Sequence, residues 1–244
     1  MTQVAPVNTP SLLMRPAGER FHSQRGWLDS WHSFSFAGHH HPDWSGFGPL
    51  LVINDDTIAA GEGFGMHPHR DMEIITVMVE GQINHRDSMG NSGVLKAGDV
   101  QRMTAGTGIV HSEINGGTTS CRLLQIWIEP GQHNLAPSYE QCGCPPTTDW
   151  TPLIAPDQAG VMAIARPVRL WRAQPCNGQT LQLPANVPHV GWLQVINGQF
   201  DLATGDANST PLQPGDGLGF SGPEAIRSLT SQGEGSDVLL FGLA

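Results

Sequence analysis

Residues 73–115 read EIITVMVEGQINHRDSMGNSGVLKAGDVQRMTAGTGIVHSEIN, and their rhythm decides the fold. EIITVMVE is a β-branched apolar run closed by Gly81, the pattern of a strand buried on both faces. QINHRDSMGNSGVL predicts a hairpin: a strand, a turn around Gly90 and Asn91, and a return strand. A further turn at Gly98 and Asp99 leads to another strand near His111. Turn signals about 8 to 12 residues apart are what an antiparallel sandwich or barrel produces.

Outward from this stretch the same grammar continues. LLVINDD, 50–56, reads as a short buried strand closed by acidic turn residues, and RLLQIWI, 122–128, as the last strong strand of this half. GWLDSWHSFSFAG alternates aromatic and polar residues (Trp31, Phe34, Phe36) as a half-exposed strand does, and it ends in His39, His40 and His41. Residues 136–160, APSYEQCGCPPTTDWTPLIAPDQAG, read as a linker. Strands resume in VMAIARPVRLWRA, QTLQLPA, HVGWLQVINGQFDLA and DVLLFGL. The order GQI…KAGDV in the first half recurs as NGQFDLA…QPGDGLGF in the second, an internal duplication of one β-barrel plan. The expected organisation is a loose tail over residues 1–11, an N-terminal domain over 12–140 and a C-terminal domain over 141–244.

Composition narrows the function classes. Thirty Gly and nineteen Pro in 244 residues exclude a helical bundle. Twelve Lys and Arg against 22 Asp and Glu give a net charge of −10, with no basic patch to neutralise phosphates, so direct nucleic-acid binding is not expected. No apolar run approaches the ~18 to 20 residues of a membrane span, and MTQVAPVNTPSLLMRP lacks the charged start and apolar core of a signal peptide. A cytoplasmic protein with free thiols at Cys121, Cys142, Cys144 and Cys176 is the expectation. Histidine is the outlier, with ten of eleven in the first 133 residues.

The chemistry concentrates in GEGFGMHPHRDMEI, 61–74, and GIVHSEIN, 108–115. Residues two apart on a strand face the same way, so His67 pairs with His69 and His111 with Glu113. Three imidazoles and a carboxylate suit a first-row divalent metal with two positions left open, as in iron-dependent oxygen chemistry, while nickel, copper, manganese and zinc are compatible. Glu73, six residues from His67, has the same parity, so spacing alone leaves two carboxylates eligible.

Glycines followed by HxH, an acidic residue four positions on, then GD, a second histidine and Asn115 resemble the cupin superfamily. The strings HPHRDMEI, HRDSMGN, GDVQRMTAGTGIVHSE and LLQIWI, with GWLDSWHSFSFAG and FGPLLVIND, resemble the pirin family, especially its bacterial members with quercetin 2,3-dioxygenase activity. The likeness is dense over residues 12–140 and implies an all-β bicupin: two tandem jelly-roll barrels, the second degenerate and without metal. It also implies that the carboxylate ligand comes from the second motif. The expected ligand set is then His67, His69, His111 and Glu113, holding one ion per chain, foremost Fe2+, with Glu73 beside it to orient an imidazole.

The implied activity is opening of the central ring of flavonols such as quercetin with O2, releasing carbon monoxide. Glu113 would take the proton of the substrate hydroxyl. Gln125, on one face with Leu123 and Trp127, is a candidate pocket residue; Met66, Phe64 and Met103 could add apolar contact, or simply pack the core. The resemblance supports a second class of function, an iron-dependent redox-sensing regulator that binds a transcription factor or a metabolic enzyme. His85, Arg86 and Asp87 read as local hydrogen bonding beside a turn, His22 and His32 have no spacing partner, and His189 stands alone in the second half.

Overall fold

The computed structural model describes residues 11–145, 147–205 and 209–243. The expected tail lies outside these residues except for Ser11, which begins β1 (Ser11–Arg15). Then come β2 (Phe21–Arg25), β3 (Leu28–His32), β4 (Leu50–Ile58), β5 (Gly63–His69), β6 (Glu73–Glu80), β7 (Gln82–Asp87), β8 (Ser92–Lys96), β9 (Asp99–Thr104), β10 (Ile109–Ile114), β11 (Cys121–Ile128) and β12 (Ser138–Gly143). The remainder holds β13 (Thr151–Ile154), β14 (Arg169–Ala173), β15 (Thr180–Leu181), β16 (Val190–Asn197), β17 (Phe200–Thr204), β18 (Ser209–Leu212), β19 (Gly217–Ser221), β20 (Ile226–Ser231) and β21 (Asp237–Leu243). Among the described residues, no helix is long and apolar enough to cross a membrane.

Two compact units result. The N-terminal unit is Arg20–Pro145 with Leu153–Pro167; the C-terminal unit takes the described residues of 1–19, 146–152 and 168–244. Neither unit is contiguous in sequence. β1 pairs with β19, and residues 153–167 return to the end of β11, where Gly131 N–H donates to the Ala165 carbonyl and Arg166 meets Glu129 at 3.3 Å. Sheets in the N-terminal unit run β12-β9-β6-β11-β4-β3-β2 and β5-β10-β7-β8; those of the C-terminal unit run β1-β19-β16-β21-β14-β13 and β15-β20-β17-β18. Both units are cupin-type barrels, and the chain is an all-β bicupin.

The strand at 73–80 and the 82–96 hairpin form as expected; in β6 every residue from Glu73 to Met78 is buried, as its continuous apolar run implies. Three expectations change. β4 does not stop at its acidic pair: Asp55 and Asp56 lie inside the buried strand, because each finds a partner across it. Asp55 meets the Arg122 guanidinium at 2.7 Å, and Asp56 accepts from the Ser30 hydroxyl. β3 ends at His32 rather than running through Phe36, since the Ser35 N–H and hydroxyl both turn to the Trp44 carbonyl. Within 136–160, read as linker, β12 forms by pairing Tyr139 opposite Met103 on β9.

Candidate metal centre

β10 organises the site. It lies between β5 and β7, pairing His111 with His67 on one side, and Glu113 with His85 on the other. A register shift against β5 between His111 and Glu113 puts Glu113 opposite Phe64, the kind of irregularity that re-aims side chains beside functional sites. Gly63, at φ 152°, lets β5 close on this bulge, where a β-carbon would collide with the Glu113 carbonyl.

The three imidazoles converge. Ring centroids are 4.8 Å apart for His67 and His69, 4.4 Å for His67 and His111, and 5.0 Å for His69 and His111. The ligand atoms of this trio fall within 4.8 Å of one another, close enough to hold a metal ion. His67 Nδ1–H donates to the Gly65 carbonyl at 2.7 Å, which leaves Nε2 as the free lone pair. His111 is buried with neither ring nitrogen partnered, a state that costs about 1 to 3 kcal/mol unless a ligand relieves it. His67 and His69 are only half-buried, so the cluster opens on their side.

Burial sets the charge state. It pushes the His111 imidazolium pKa down to about 3, with His67 and His85 adding repulsion, and that of His69 down to about 4, with His111 and His67 adding to the effect. Both rings are therefore neutral near pH 7, the form that ligates metal. Three imidazoles beside a carboxylate fit a divalent ion of borderline softness.

Glu113 is held from three strands. Gln101 Nε2 donates to Oε1 at 2.7 Å and Gln125 Nε2 to Oε2 at 2.7 Å. The Thr76 hydroxyl stands 3.1 Å from Oε1 and 2.9 Å from Gln125 Oε1, donating to one or the other. Gln101 is steadied in turn by the Tyr139 hydroxyl at 3.1 Å. Gln125 is thus a contact of Glu113; Thr76, Gln101 and Tyr139 were missed by the sequence reading, because only the register of β6, β9 and β12 makes them neighbours.

Glu73 goes elsewhere. A turn with Asp71 in the left-handed region (φ 47°) separates β5 from β6 and breaks the parity with His67. Glu73 Oε2 accepts from the Thr104 hydroxyl at 2.8 Å, Oε1 is buried without a partner, and its contacts include no imidazole. Burial raises its pKa, opposed first by the Thr104 hydrogen bond.

The expected apolar contacts divide. Phe64 packs edge-on to Trp27 at 5.2 Å and lies 6.2 Å from the His67 ring, so it borders the cluster. Met66 is 60% exposed, because alternation along β5 turns it away from the face of His67. Met103 belongs to the core with Ile74, Ala105 and Ile109. Trp127 stands edge-on to His69 at 5.0 Å and meets Phe36 at 5.4 Å.

Most of the other histidines find local partners. His22 stacks on Trp31 at 4.0 Å, and His32 bridges Asn54 at 2.8 Å and Ser23 at 2.9 Å. His39 reaches Ser23 at 3.1 Å, His41 caps the turn at Asp43, and His40 and His189 are exposed. His85 is not merely a turn residue: it is fully buried and faces His111 at 5.5 Å between centroids. The four cysteines are free thiols.

Comparison with known proteins adds independent constraints. The profile described as Pirin matches residues 15–128, and that of the quercetinase C-terminal cupin domain matches residues 153–243. The chain is 41% identical over 235 residues to quercetin 2,3-dioxygenase of Escherichia coli K12, an alignment covering 95% of this chain and 98% of that protein. The crystal structure of the Escherichia coli bacterial pirin YhhW in complex with nickel(II) superposes with a TM-score of 0.85 at 39% identity, covering 96% of this chain and 99% of that one. A quercetin 2,3-dioxygenase of Acinetobacter baumannii, at 20% identity and a TM-score of 0.75 over 95% of this chain and 78% of that one, shares the fold.

Proposed function

This chain belongs to the pirin family, and on that footing we propose that it is a metal-dependent dioxygenase that opens the central ring of flavonols such as quercetin, consuming O2 and releasing carbon monoxide. One observation carries the reading: a buried His111 with both nitrogens unpartnered, among two further imidazoles and an anchored carboxylate. His67, His69, His111 and Glu113 would hold one divalent ion, with Fe2+ as our choice of resident metal; the nickel complex of the Escherichia coli pirin supports a site for a divalent ion. Such an ion, when bound, lowers the pKa of a hydroxyl it contacts.

The chain's own residues supply the rest. Glu113 would take that proton on Oε1 or Oε2, exchanging a hydrogen bond from Gln101 or Gln125 as it does so. Those amides keep the carboxylate from swinging freely, so the proton acceptor is oriented before substrate arrives. Trp127 beside His69 and Phe64 beside His67 present aromatic surface to a planar ligand and limit the water around it.

The test is loss of flavonol absorbance with matching oxygen uptake by metal-replete protein, abolished in His67→Ala. Turnover no greater than that of free metal would instead favour the redox-sensing regulator. Ligand assignment is tested separately: Glu113→Gln should lose metal or bind it far more weakly, whereas Glu73→Gln should keep its metal. Equal metal loss in the two variants would reverse the assignment.

A further inference from the structure

We propose that His85 gives this centre an alternative, inner cation position, formed by His85, His111 and Glu113, which shares His111 and Glu113 with the outer ligand set of His67, His69, His111 and Glu113 and so is filled only in place of it. The inference rests on the reading that this end of the barrel holds a metal. Its ground is the arrangement about β10: β5 brings two imidazoles to one side, and β7 brings His85 opposite Glu113 on the other. In each trio the ligand atoms lie within 4.8 Å of one another, and every member of the inner trio is buried.

His85 is prepared as a ligand on three counts. Its Nε2 lies 3.3 Å from Asp87 Oδ2, and Asp87 is itself fixed by the Met89 N–H at 2.9 Å and by the Asn91 N–H and side-chain amide at 3.0 and 2.9 Å. A carboxylate behind one ring nitrogen fixes the tautomer and raises the basicity of the other, the usual support of a metal-bound imidazole. The free nitrogen, Nδ1, is buried and meets no donor. Stacking on Tyr139, with centroids at 4.3 Å and planes at 14°, fixes the ring plane, so rotation does not relieve it. A purely structural residue here would be served by a phenyl ring, which stacks on Tyr139 without an orphaned acceptor or a buried Asp87; the polar pair becomes economical once Nδ1 has a cation to bind. The ions that take two imidazoles and a carboxylate are Fe2+, Co2+, Ni2+ and Zn2+.

The experiment loads metal-free protein with Co2+, removes the excess by gel filtration, and counts metal per chain, with thermal melts to establish folding. The wild type should carry one Co2+. The double variant His67→Ala/His69→Ala should still carry Co2+, shifted in its visible absorption band, and the triple variant with His85→Gln should carry none. His67→Gln/His69→Gln repeats the readout with side chains nearer the native volume. A folded double variant that takes up no Co2+, in both the Ala and Gln forms, overturns the inner position while leaving the outer site standing. Uptake by the triple variant equal to that of the double overturns it as well. A wild-type chain that binds no metal overturns both readings.

Discussion

In the N-terminal barrel the smaller sheet runs β5-β10-β7-β8, and in the C-terminal barrel it runs β15-β20-β17-β18, the same order ten strands later; the larger sheets repeat β9-β6-β11-β4 as β19-β16-β21-β14. What fills the two frames differs. In the C-terminal barrel Trp171, Leu193, Phe200, Phe220, Leu229, Leu240 and their neighbours form one buried apolar cluster. In the N-terminal barrel, apolar clusters such as those around Ile83 and Leu123 and around Ile74 and Met103 accompany a polar set of imidazoles, amides and Glu113. Where β10 places His111 and Glu113, β20 contributes Ile226 and Leu229 to packing. One buried charge pair of the second barrel is self-satisfied: Arg172 donates to both Asp237 oxygens, at 3.0 and 2.6 Å. A duplicated frame is kept stable either by apolar filling or by a polar set that a ligand completes.

The sharpest way to break this comparison is to cut one inward residue from each barrel. His111→Ala should abolish metal binding and turnover, because both trios depend on it. Leu229→Ala should leave the metal count unchanged and instead cost about 2 to 5 kcal/mol in urea unfolding, as a core truncation does. Metal loss from the Leu229 variant under conditions where it remains folded would erase the division of labour.

A smaller effect separates the buried carboxylates. Asp237 pairs with a guanidinium, whereas Asp56 takes only the Ser30 hydroxyl among its hydrogen bonds; burial, opposed by that bond and reinforced by Asp55 and Glu113, pushes its pKa up to about 7. In the unfolded chain it titrates near 3.8, so between those values the folded state holds a proton that the unfolded state has lost. Its stabilising contribution is full below pH ~4 and is lost as pH rises through ~7. Relative to Asp56→Asn, metal-free wild type should therefore lose stability, on the order of 4 kcal/mol across that window. Parallel stability curves for the two proteins from pH 4 to 8 would contradict this.

The smallest expected change is in the support of Glu113. Gln101→Leu or Gln125→Leu removes one donor without touching the imidazoles, and should weaken metal binding by about 10- to 100-fold in a chelator competition. Unaltered affinity would mean that the amides serve packing alone.

Much of the site was legible because a strand has a period of two. HPH and HSE each put their chemical groups on one face; the structure gathers His67, His69 and His111, while Glu113 groups with His111 and His85. HRD at 85–87 carries the same signature, and would have exposed His85 and Asp87 had it been weighed as a strand pair. Met66, Glu73 and the acidic end of β4 resisted for other reasons. Met66 is a matter of face, and Glu73 of a left-handed turn at Asp71 that resets the alternation. Asp55 and Asp56 depend on Arg122 and Ser30, 67 and 26 residues away in the chain.

The sequence by itself determined the central strands, the duplication, the family and the histidine pairs, since these follow from local periodicity and from motifs a few residues long. Only the tertiary structure decided what surrounds Glu113, where Glu73 points, and that His85 stands across from it. Those relations are set by which strands lie side by side and in what register, and a slip of one residue would turn each of those side chains to the other face.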